Sequence, residues 1–228
     1  MSKTLIITGG AGNLGRAVVD QLLKDGFSLE ATAIKEGEFN PKPGLRPTIL
    51  DLTDEKAVQE FVEQVTQRNG SIQGAVMLAG GFAMGDWSNT DVAALDKMFK
   101  LNFITAYNLS RQVVQALTKQ GKGGQLVLVG ARPALQPGNG TGMIAYTLSK
   151  SLIFRLAELI NAWGADHSIT ASVIVPSIID TPLNRAAMPK ADPQDWVPPQ
   201  RIAESISYLL SDAGKMLRET VLKVYNRT

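Results

Sequence analysis

Short runs of apolar residues recur along the chain, and several of them are almost continuously apolar. This pattern is typical of β-strands covered on both faces, because a strand with one face in water alternates apolar and polar residues. We therefore predict seven strands: Leu5–Thr8, Leu29–Ile34, Thr48–Leu50, Ala75–Leu78, Leu126–Val129, Ile169–Val175 and Val221–Tyr225.

Segments with the period of amphipathic helices separate these runs. Strands that alternate with such helices predict right-handed βαβ units and a parallel sheet. The expected fold class is α/β, a single-domain Rossmann-type doubly wound parallel sheet of about seven strands flanked by helices. One helix begins near Arg16, and the others are predicted at Asp54–Arg68, Asp91–Lys119, Ala145–Trp163 and Gln200–Leu210.

The length of 228 residues fits one α/β domain, and the sequence has no internal repeat, low-complexity tract or linker. Two proline-rich stretches, Pro41–Pro47 and Pro189–Pro199, are interpreted as surface loops rather than domain boundaries. We therefore expect residues 1–228 to form one domain, with residues 180–200 as a lid over the substrate.

The composition excludes several kinds of site and partner. The 23 Lys and Arg residues nearly balance the 21 Asp and Glu residues, so the net charge of +2 gives no argument for a nucleic-acid partner. The chain has no cysteine and a single histidine, His167, which we interpret as a solvent-facing loop residue. A disulfide, a zinc–thiolate site and a multi-histidine metal site are therefore excluded, and we expect no metal.

The lengths of the apolar runs also bear on the cellular location of the protein. The first apolar run is too short for a secretory signal, and no later run approaches the ~20 apolar residues of a membrane helix. We therefore expect a soluble, cytoplasmic protein that has no membrane partner.

A glycine-rich turn follows the first predicted strand and precedes a helix. Gly10, Gly12 and Gly15 fit the G-x-G-x-x-G pattern, in which glycines allow a tight turn, a close backbone approach to a pyrophosphate and close helix–strand packing. The N–H groups at the start of the helix then favour a phosphate. The cofactor contacts expected here are Gly9, Gly12, Asn13, Leu14 and Gly15.

The residues after this turn argue against nucleotide hydrolysis. Gly10 and Gly15 have the spacing of a phosphate-binding P-loop, but Arg16 and Ala17 stand where that loop needs a lysine and a hydroxyl residue. The turn therefore favours a dinucleotide cofactor.

The end of the second predicted strand bears on which dinucleotide binds. A site selective for NAD places an acid about twenty residues past the turn, where it binds the ribose 2′-hydroxyl. Here Ala33 or Ile34 occupies that position, followed by Lys35, and an apolar residue with a cation suits a 2′-phosphate better. We therefore favour NADP(H) over NAD(H), with Lys35 as a contact. Glu36 would shift this preference towards NAD(H) if the strand ended one or two residues later. The alternative interpretation of Lys35 is a solvated loop lysine.

Tyr146 and Lys150 are four residues apart on a predicted helix, so they share one face. A free phenol has a pKa of about 10, and a neighbouring ammonium group should lower it. Such a pair suits proton exchange at a substrate atom while hydride moves to or from a nicotinamide. Judged by spacing alone, an ordinary surface pair is the commoner alternative.

Taken together, the turn Thr8–Gly15 and the Tyr-x-x-x-Lys spacing resemble the short-chain dehydrogenase/reductase family, over nearly the whole chain. The resemblance implies that Asn102 joins Tyr146 and Lys150 in the active site. It also implies that Tyr146 and Lys150 contact the cofactor. The chain departs from the family pattern after the fourth strand, where Leu78 replaces the usual asparagine. The remaining cofactor contacts that it implies are Asp51, Leu52, Ala79, Gly80, Gly81, Pro176, Ile179 and Thr181.

The family's usual serine, about thirteen residues before the tyrosine, is missing, because residues 130–135 contain no hydroxyl. Either the chemistry has been lost, or the substrate does not need that hydroxyl. The second interpretation matches the dihydropteridine reductase branch of the family, which residues 78–83, 130–135, 142–146 and 180–189 resemble. That branch lacks the serine and reduces an already electrophilic quinonoid dihydropterin. It prefers NADH and carries an acid after its second strand, which this chain lacks.

Large side chains near the predicted carboxyl edge of the sheet are candidates for contacting a flat substrate. Phe82 and Trp87 follow the fourth strand, and Met188 and Trp196 lie in the expected lid. Asn184 could hydrogen-bond a ring amide. Packing of these side chains against the core is the alternative.

The predicted helices Asp91–Lys119 and Ala145–Trp163 carry more apolar positions than one sheet face needs, so we expect a homodimer, with a tetramer as the alternative. These positions include Leu109, Val113, Leu152, Ile153, Leu156 and Leu159.

The leading hypothesis is an NAD(P)H-dependent reductase that transfers hydride to a small, planar, electrophilic substrate of the dihydropteridine or quinone type. Tyr146 would donate the proton, Lys150 would tune it and hold the nicotinamide ribose, and Asn102 would order a water or the lysine. The missing serine motivates an alternative, a non-catalytic NAD(P)-binding sensor or scaffold. A reductase of ordinary ketones is disfavoured by the same absence.

Overall fold

The computed structural model describes residues 3–227, which form one parallel sheet of seven strands. The strand order β3-β2-β1-β4-β5-β6-β7 confirms the predicted doubly wound sheet. The strands are Lys3–Thr8 (β1), Phe27–Ala33 (β2), Leu45–Ile49 (β3), Gly74–Met77 (β4), Gly124–Val129 (β5), Ile169–Pro176 (β6) and Val221–Val224 (β7).

Helices cover both faces of this sheet. They are Asn13–Lys24 (α1), Glu55–Asn69 (α2), Val92–Phe99 (α3), Thr105–Gln120 (α4), Arg132–Leu135 (α5), Ile144–Gly164 (α6), Pro182–Ala187 (α7) and Pro199–Leu210 (α8). Helices α1 and α8 pack on one face, and α2, α4 and α6 pack on the other. None of the helices within residues 3–227 is both long enough and apolar enough to span a membrane.

Alternate residues of each central strand enter different cores. Leu5 and Ile7 of β1 pack with Val18 and Ile202 beneath α1 and α8, whereas Ile6 packs on the side of α2, α4 and α6. Because both faces are buried, the strands need apolar residues at consecutive positions. This explains the unbroken apolar runs in the sequence.

The third strand begins at Leu45, three residues before the predicted Thr48, so the proline-rich loop that begins at Pro41 is shorter than expected. Pro47 lies inside the strand, opposite Ala31 of β2. A proline is tolerated there because β3 is an edge strand, and its missing N–H would face solvent rather than a second neighbour.

The long helix predicted at Asp91–Lys119 is interrupted. A π-helical segment, Lys100–Ile104, joins α3 to α4 and contains the buried Asn102. Wide turns of this kind are frequent at functional sites, because the extra residue redirects the side chains that follow. Apolar periodicity alone does not reveal such an insertion.

The predicted surplus of apolar residues on the helices is smaller than expected. Leu109 and Val113 of α4 and Ile153 and Leu156 of α6 are buried within the monomer, against the sheet and one another. Leu159 is exposed, and so is Trp163, one turn further along α6.

The chain crosses from β3, on one side of β1, to β4 on its other side. The carboxyl ends of β1 and β4 therefore lie at the point where the direction of winding reverses. Open α/β sheets bind their ligands at such a switch point.

Candidate active site

The glycine turn joins β1 to α1 through very close backbone contacts. Gly9 has φ +65°, and a Cβ atom there would lie 2.7 Å from the Ala79 nitrogen at the end of β4. A Cβ atom on Gly15 would lie 2.1 Å from the Gly9 carbonyl oxygen. The N–H of Gly12 donates to that same oxygen at 3.1 Å. No larger side chain fits at positions 9 and 15 without moving backbone.

Helix α1 begins without a side-chain cap. Gly12 stands at its N-cap position and no side chain accepts from its first turn, whereas Asp54, Asp91 and Thr181 cap α2, α3 and α7. The N–H groups of the first turn, where Asn13 and Leu14 lie, thus face the switch point without a capping oxygen. An uncapped amino end with a close-approach glycine fits a pyrophosphate.

Thr8 ties together the two strands that form the switch point. Its hydroxyl accepts a hydrogen bond from the Ala79 N–H at 3.1 Å, and its carbonyl accepts from the Leu78 N–H at 3.2 Å. The sequence prediction included Thr8 in the turn Thr8–Gly15 but did not name it as a site residue.

Asp51 and Leu52 lie after β3, on the same edge of the sheet. The Asp51 carboxylate accepts from the Thr53 N–H (2.8 Å) and hydroxyl (2.7 Å), and these bonds lower its pKa. Leu52 is buried, and its carbonyl accepts from the Asn108 side chain of α4 at 3.0 Å. The charge and position of Asp51 are thus set by its own turn.

The loop after β2 folds back towards the glycine turn. Ile34 is exposed, and its N–H donates to the Glu38 carboxylate at 3.0 Å. A Cβ on Gly10 would lie 3.2 Å from the Phe39 ring, so the loop packs against the turn. Lys35 is exposed. The sequence prediction considered Lys35 and Glu36 but missed Glu38, because only the fold-back brings its carboxylate to the strand end.

Asn102 is held at the centre of the site by hydrogen bonds to the loop after β4 and to α6. Its Oδ1 accepts from the Gly81 N–H (2.8 Å), and its Nδ2 donates to the Gly81 carbonyl (3.0 Å) and the Ser149 hydroxyl (3.0 Å). Ser149 in turn donates to the Tyr146 carbonyl at 2.8 Å. The side chain therefore fastens α6 to the loop after β4. Ser149, between Tyr146 and Lys150 in the sequence, was missed.

Lys150 reaches the same place from α6. Its ammonium donates to the Val129 carbonyl at the end of β5 at 2.8 Å. A Cβ on Gly80 would lie 2.6 Å from Asn102 Oδ1 and 3.4 Å from Lys150 Nζ. Gly80, Asn102 and Lys150 thus converge. Burial of Lys150, which is 7% exposed, lowers the pKa of its ammonium from 10.5 to about 8.

Tyr146 lies one turn before Lys150 on α6 and packs edge-on against Phe82, with ring centroids 5.0 Å apart. Burial raises the pKa of its phenol to about 12. The prediction that Lys150 lowers the pKa of this phenol is therefore wrong, because desolvation of the phenolate dominates. Tyr146 is a neutral phenol at neutral pH.

The loop after β4 is fastened to the start of α6. The N–H of Gly85 donates to the Gly142 carbonyl, and the N–H of Ile144 donates to the Gly85 carbonyl, both at 2.8 Å. This pairing holds Phe82 over Tyr146. Trp87, beyond it, is 85% exposed.

The segment where the family places its serine forms α5. Pro133, thirteen residues before Tyr146, lies in this short helix. The guanidinium carbon of Arg132 lies 5.0 Å from the centroid of the Tyr225 ring, and its Nε donates to Gln136 at 2.8 Å. The Arg132 side chain, stacked on the Tyr225 ring, therefore occupies this edge of the candidate site.

The segment after β6 is closed at its base. Ile179 bridges to Val197, and the Asp180 N–H donates to the Val197 carbonyl at 2.9 Å. Thr181, which is buried, caps α7, and the Asn184 amide donates to the Ile179 carbonyl at 2.8 Å. Pro176 is buried at the end of β6.

Two of the predicted substrate residues in this segment differ in exposure. Met188 is half-buried, but Trp196 is only 2% exposed and belongs to the core. A ring buried to that extent has no surface for a substrate, so the expectation for Trp196 is corrected to a packing role. Its burial anchors the carboxyl end of the segment.

No group of three or more metal-binding side chains of the His, Cys, Asp or Glu type occurs in residues 3–227. An uncapped helix at the switch point, with a tyrosine and a lysine beside it, is an arrangement suited to redox chemistry on a nucleotide cofactor. The fold and the site thus define an oxidoreductase of the Rossmann type.

Comparison with known proteins identifies the family. The family model described as short chain dehydrogenase matches residues 3–192, and the chain belongs to this family, whose members bind NAD or NADP. Among curated relatives, a dihydropteridine reductase of Dictyostelium discoideum is 29% identical over 209 residues, covering 90% of this chain and 87% of the relative. A cyclic-di-GMP-binding biofilm dispersal mediator protein of Escherichia coli is 26% identical, covering 83% and 78%.

Solved structures share the fold. ElxO with NADP bound superposes with a TM-score of 0.89 at 20% identity, covering 98% of this chain and 97% of that one. A short-chain type dehydrogenase/reductase from Mycobacterium ulcerans has a TM-score of 0.89 at 23% identity, covering 100% and 90%.

Replacing Gly15 by alanine should destabilise the protein by about 3 kcal/mol or more, because the new Cβ would overlap backbone atoms that cannot move independently. Gly138→Ala is the matched control, since nothing lies within 4 Å of a Cβ built there. Urea unfolding measures both. Equal stability of the two variants would contradict the described packing of the turn.

The buried Lys150 predicts a specific pH dependence of stability. Below pH 8 the folded and unfolded states both carry the ammonium, and the folded state bears its desolvation cost. Between pH 8 and 10.5 only the unfolded state keeps the proton, so stability rises with pH. Relative to Lys150→Met, the wild-type free energy of unfolding should therefore gain about 2 kcal/mol between pH 7.5 and 9.5. A constant difference across this range would refute the lowered pKa.

Proposed function

We propose that this protein is an NAD(P)H-dependent reductase that transfers hydride to a small, planar, electrophilic substrate of the dihydropteridine or quinone type. The observation that carries the proposal is the convergence of Lys150 and Asn102 on Gly80 at the switch point, with Tyr146 one helical turn away. The residues present fit a dinucleotide, because the glycine turn and the uncapped start of α1 form a cradle for its pyrophosphate.

The bound nicotinamide would supply the hydride. Tyr146 donates its phenolic proton to the substrate atom next to the one that receives hydride, so one proton and one hydride complete the reduction. Burial keeps this phenol protonated at neutral pH. A cationic Lys150 beside it stabilises the phenolate that proton donation leaves behind, and water restores the proton after product leaves.

Lys150 and Asn102 position this chemistry. The Lys150 ammonium, which donates to the Val129 carbonyl, would hold the hydroxyls of the nicotinamide ribose. Asn102 fixes the loop that carries Gly80 and Gly81 against α6, and so holds the tyrosine and the nicotinamide side of the cradle in register. Such positioning lowers the entropic part of the barrier.

Two features support the substrate class. Residues 130–135 supply no hydroxyl to polarise an ordinary carbonyl, so a serine-lacking Tyr–Lys site suits a substrate that is already electrophilic. The curated dihydropteridine reductase matches across 90% of this chain. Phe82, held against Tyr146, and the exposed Trp87 offer aromatic faces to a flat ring.

For the cofactor we propose NADP(H) in preference to NAD(H). Residues 33–35 contain no acid, and the exposed Lys35 favours a 2′-phosphate, although the loop brings the Glu38 carboxylate to the Ile34 N–H. The NADP complex of ElxO, with the same fold, is consistent with this assignment. Asp51 and Leu52 would border the adenine, and Pro176, Ile179 and Thr181 would border the nicotinamide amide.

We also propose that residues 180–200 act as a lid. Both ends of this segment are fastened, by the Ile179–Val197 bridge and the buried Trp196, while Leu183 between them is exposed. Asn184 and Met188 would contact the substrate from this lid.

For the assembly we propose a homodimer, with a tetramer as the alternative, in the cytoplasm. The apolar groove between α4 and α6, lined by Tyr107, Leu159 and Trp163, is the surface that a second copy would cover.

Replacing Tyr146 by phenylalanine should lower kcat by about 10²–10⁴-fold, because the proton donor is lost. The dissociation constant of NADPH, measured by fluorescence titration, should change little. Tyr208→Phe, at an exposed position on α8, is the control and should keep full turnover. Turnover with quinonoid dihydropterin and a quinone panel is the readout. Full activity of the Tyr146 variant would refute the proton-donor role, and dinucleotide binding without any turnover would favour a sensor.

Glu38 should oppose the binding of NADPH, because its carboxylate occupies the Ile34 N–H and repels a 2′-phosphate. Glu38→Gln keeps the hydrogen-bond acceptor but removes the charge, so NADPH should bind about tenfold more tightly while NADH changes by less than about twofold. Glu36→Gln, an exposed acid in the same loop, is the matched control. Weaker NADH binding with unchanged NADPH binding would instead make Glu38 the ligand of a 2′-hydroxyl.

A further inference from the structure

A second cavity lies at the edge of the sheet opposite the active site. It has a volume of about 320 Å³ and is bounded by residues at or just before the starts of β4, β5 and β6, together with Lys215 and Arg218 beyond α8. Because all seven strands are parallel, their amino ends lie far from the glycine turn, which follows the carboxyl end of β1. The proposed dinucleotide and substrate sites therefore do not use this cavity.

The charges around this cavity are of one sign. Lys122, Lys215 and Arg218 line it, and none of its lining residues is acidic. Lys215 pairs with the exposed Asp212 at 2.8 Å, and the charge of Lys3 also bears on Asp212. Neither Lys122 nor Arg218 forms a salt bridge with another residue in the described part of the chain. The cavity is thus an electropositive concavity with two uncompensated cations, a setting that concentrates anions.

A threonine in the wall adds a hydroxyl to these charges. Thr170 on β6 is 6% exposed as a residue and lines the cavity. Its pairing partner Gln125 on β5 lies on the same face of the sheet and donates its side-chain amide to the Leu209 carbonyl. A hydroxyl can donate a hydrogen bond to an oxygen of an anion, so Thr170 adds a neutral donor to the cations of the lining.

The walls of the cavity are also rigid. Gly123 adopts φ +69°, and a Cβ there would lie 2.3 Å from the Ser168 carbonyl oxygen. The Gly124 N–H donates to the same oxygen at 3.1 Å. Ser71 also lines the cavity, and its neighbour Ile72 is held by the Gln120 side chain on both its N–H and its carbonyl. A site with fixed walls loses little entropy when a ligand binds.

We propose that this cavity is a second binding site for a small phosphate-bearing anion, separate from the cofactor site. Ammonium and guanidinium groups together with hydroxyl donors suit the several oxygens of a tetrahedral phosphate better than a planar carboxylate. Lys122 and Arg218 supply the charge, and Thr170 supplies a hydroxyl donor. This inference does not depend on the proposed reductase activity.

The test is calorimetric titration with inorganic pyrophosphate, performed with and without saturating NADPH so that the glycine turn is blocked in one arm. Lys122→Gln combined with Arg218→Gln should weaken binding about tenfold or more. Thr170→Val, which replaces the hydroxyl by a methyl group of similar size, should weaken it about threefold or more. Lys97→Gln combined with Arg46→Gln makes the same charge change away from the cavity, and should change binding by less than about twofold.

Saturable binding that persists with NADPH present and responds to these variants as stated would support the site. The proposal is overturned if pyrophosphate shows no saturable binding, if NADPH abolishes all of it, or if the control pair weakens it equally. It is also overturned if malonate, a dicarboxylate, binds as tightly as pyrophosphate. Failure of NADPH to bind at all would count against the proposed function alone, because the arm without NADPH and the cavity variants still report on the second site.

Discussion

The close approach of backbone at the ends of β1 and β4 is the constraint on which the rest of this structure depends. Gly9 presses against Ala79, Gly15 presses against Gly9, and Thr8 bonds across to the Ala79 N–H. Because no side chain intervenes, the start of α1 and the loop that carries Gly80 lie side by side. The proposed phosphate-binding end of the site is thereby brought next to the place where Asn102 and Lys150 meet, which is its proposed chemical end.

The buried pair on α6 shows how the fold sets protonation states. Burial disfavours the charged forms of both Tyr146 and Lys150, and so raises one pKa and lowers the other. The phenol therefore stays protonated at neutral pH, while the pKa of the lysine ammonium is lowered to about 8. The negatively charged groups of a bound cofactor would favour the ammonium form, so cofactor binding and the activation of Tyr146 would be coupled through one charge.

Much of the fold could be predicted from the sequence, because continuous apolar runs such as Ile169–Val175 have few alternatives to buried parallel strands. The placement of the glycine turn between a strand and a helix, and of Tyr146 and Lys150 on one helix, could also be predicted, since both depend on local spacing. Features that depend on tertiary contacts were missed. The π-helical segment around Asn102 leaves no periodic signal, Glu38 reaches Ile34 only through a loop reversal, and the burial of Trp196 follows from packing rather than composition.

The most direct test of the proposed active site is a crystal structure of the protein with NADPH. We predict that the pyrophosphate lies at the start of α1, with the Lys150 ammonium on the nicotinamide ribose. The Tyr146 hydroxyl should then lie about 5 Å from the carbon that carries the hydride, which leaves room for a substrate atom between them. A dinucleotide bound elsewhere, or a Tyr146 hydroxyl turned away from that carbon, would contradict the proposed active site.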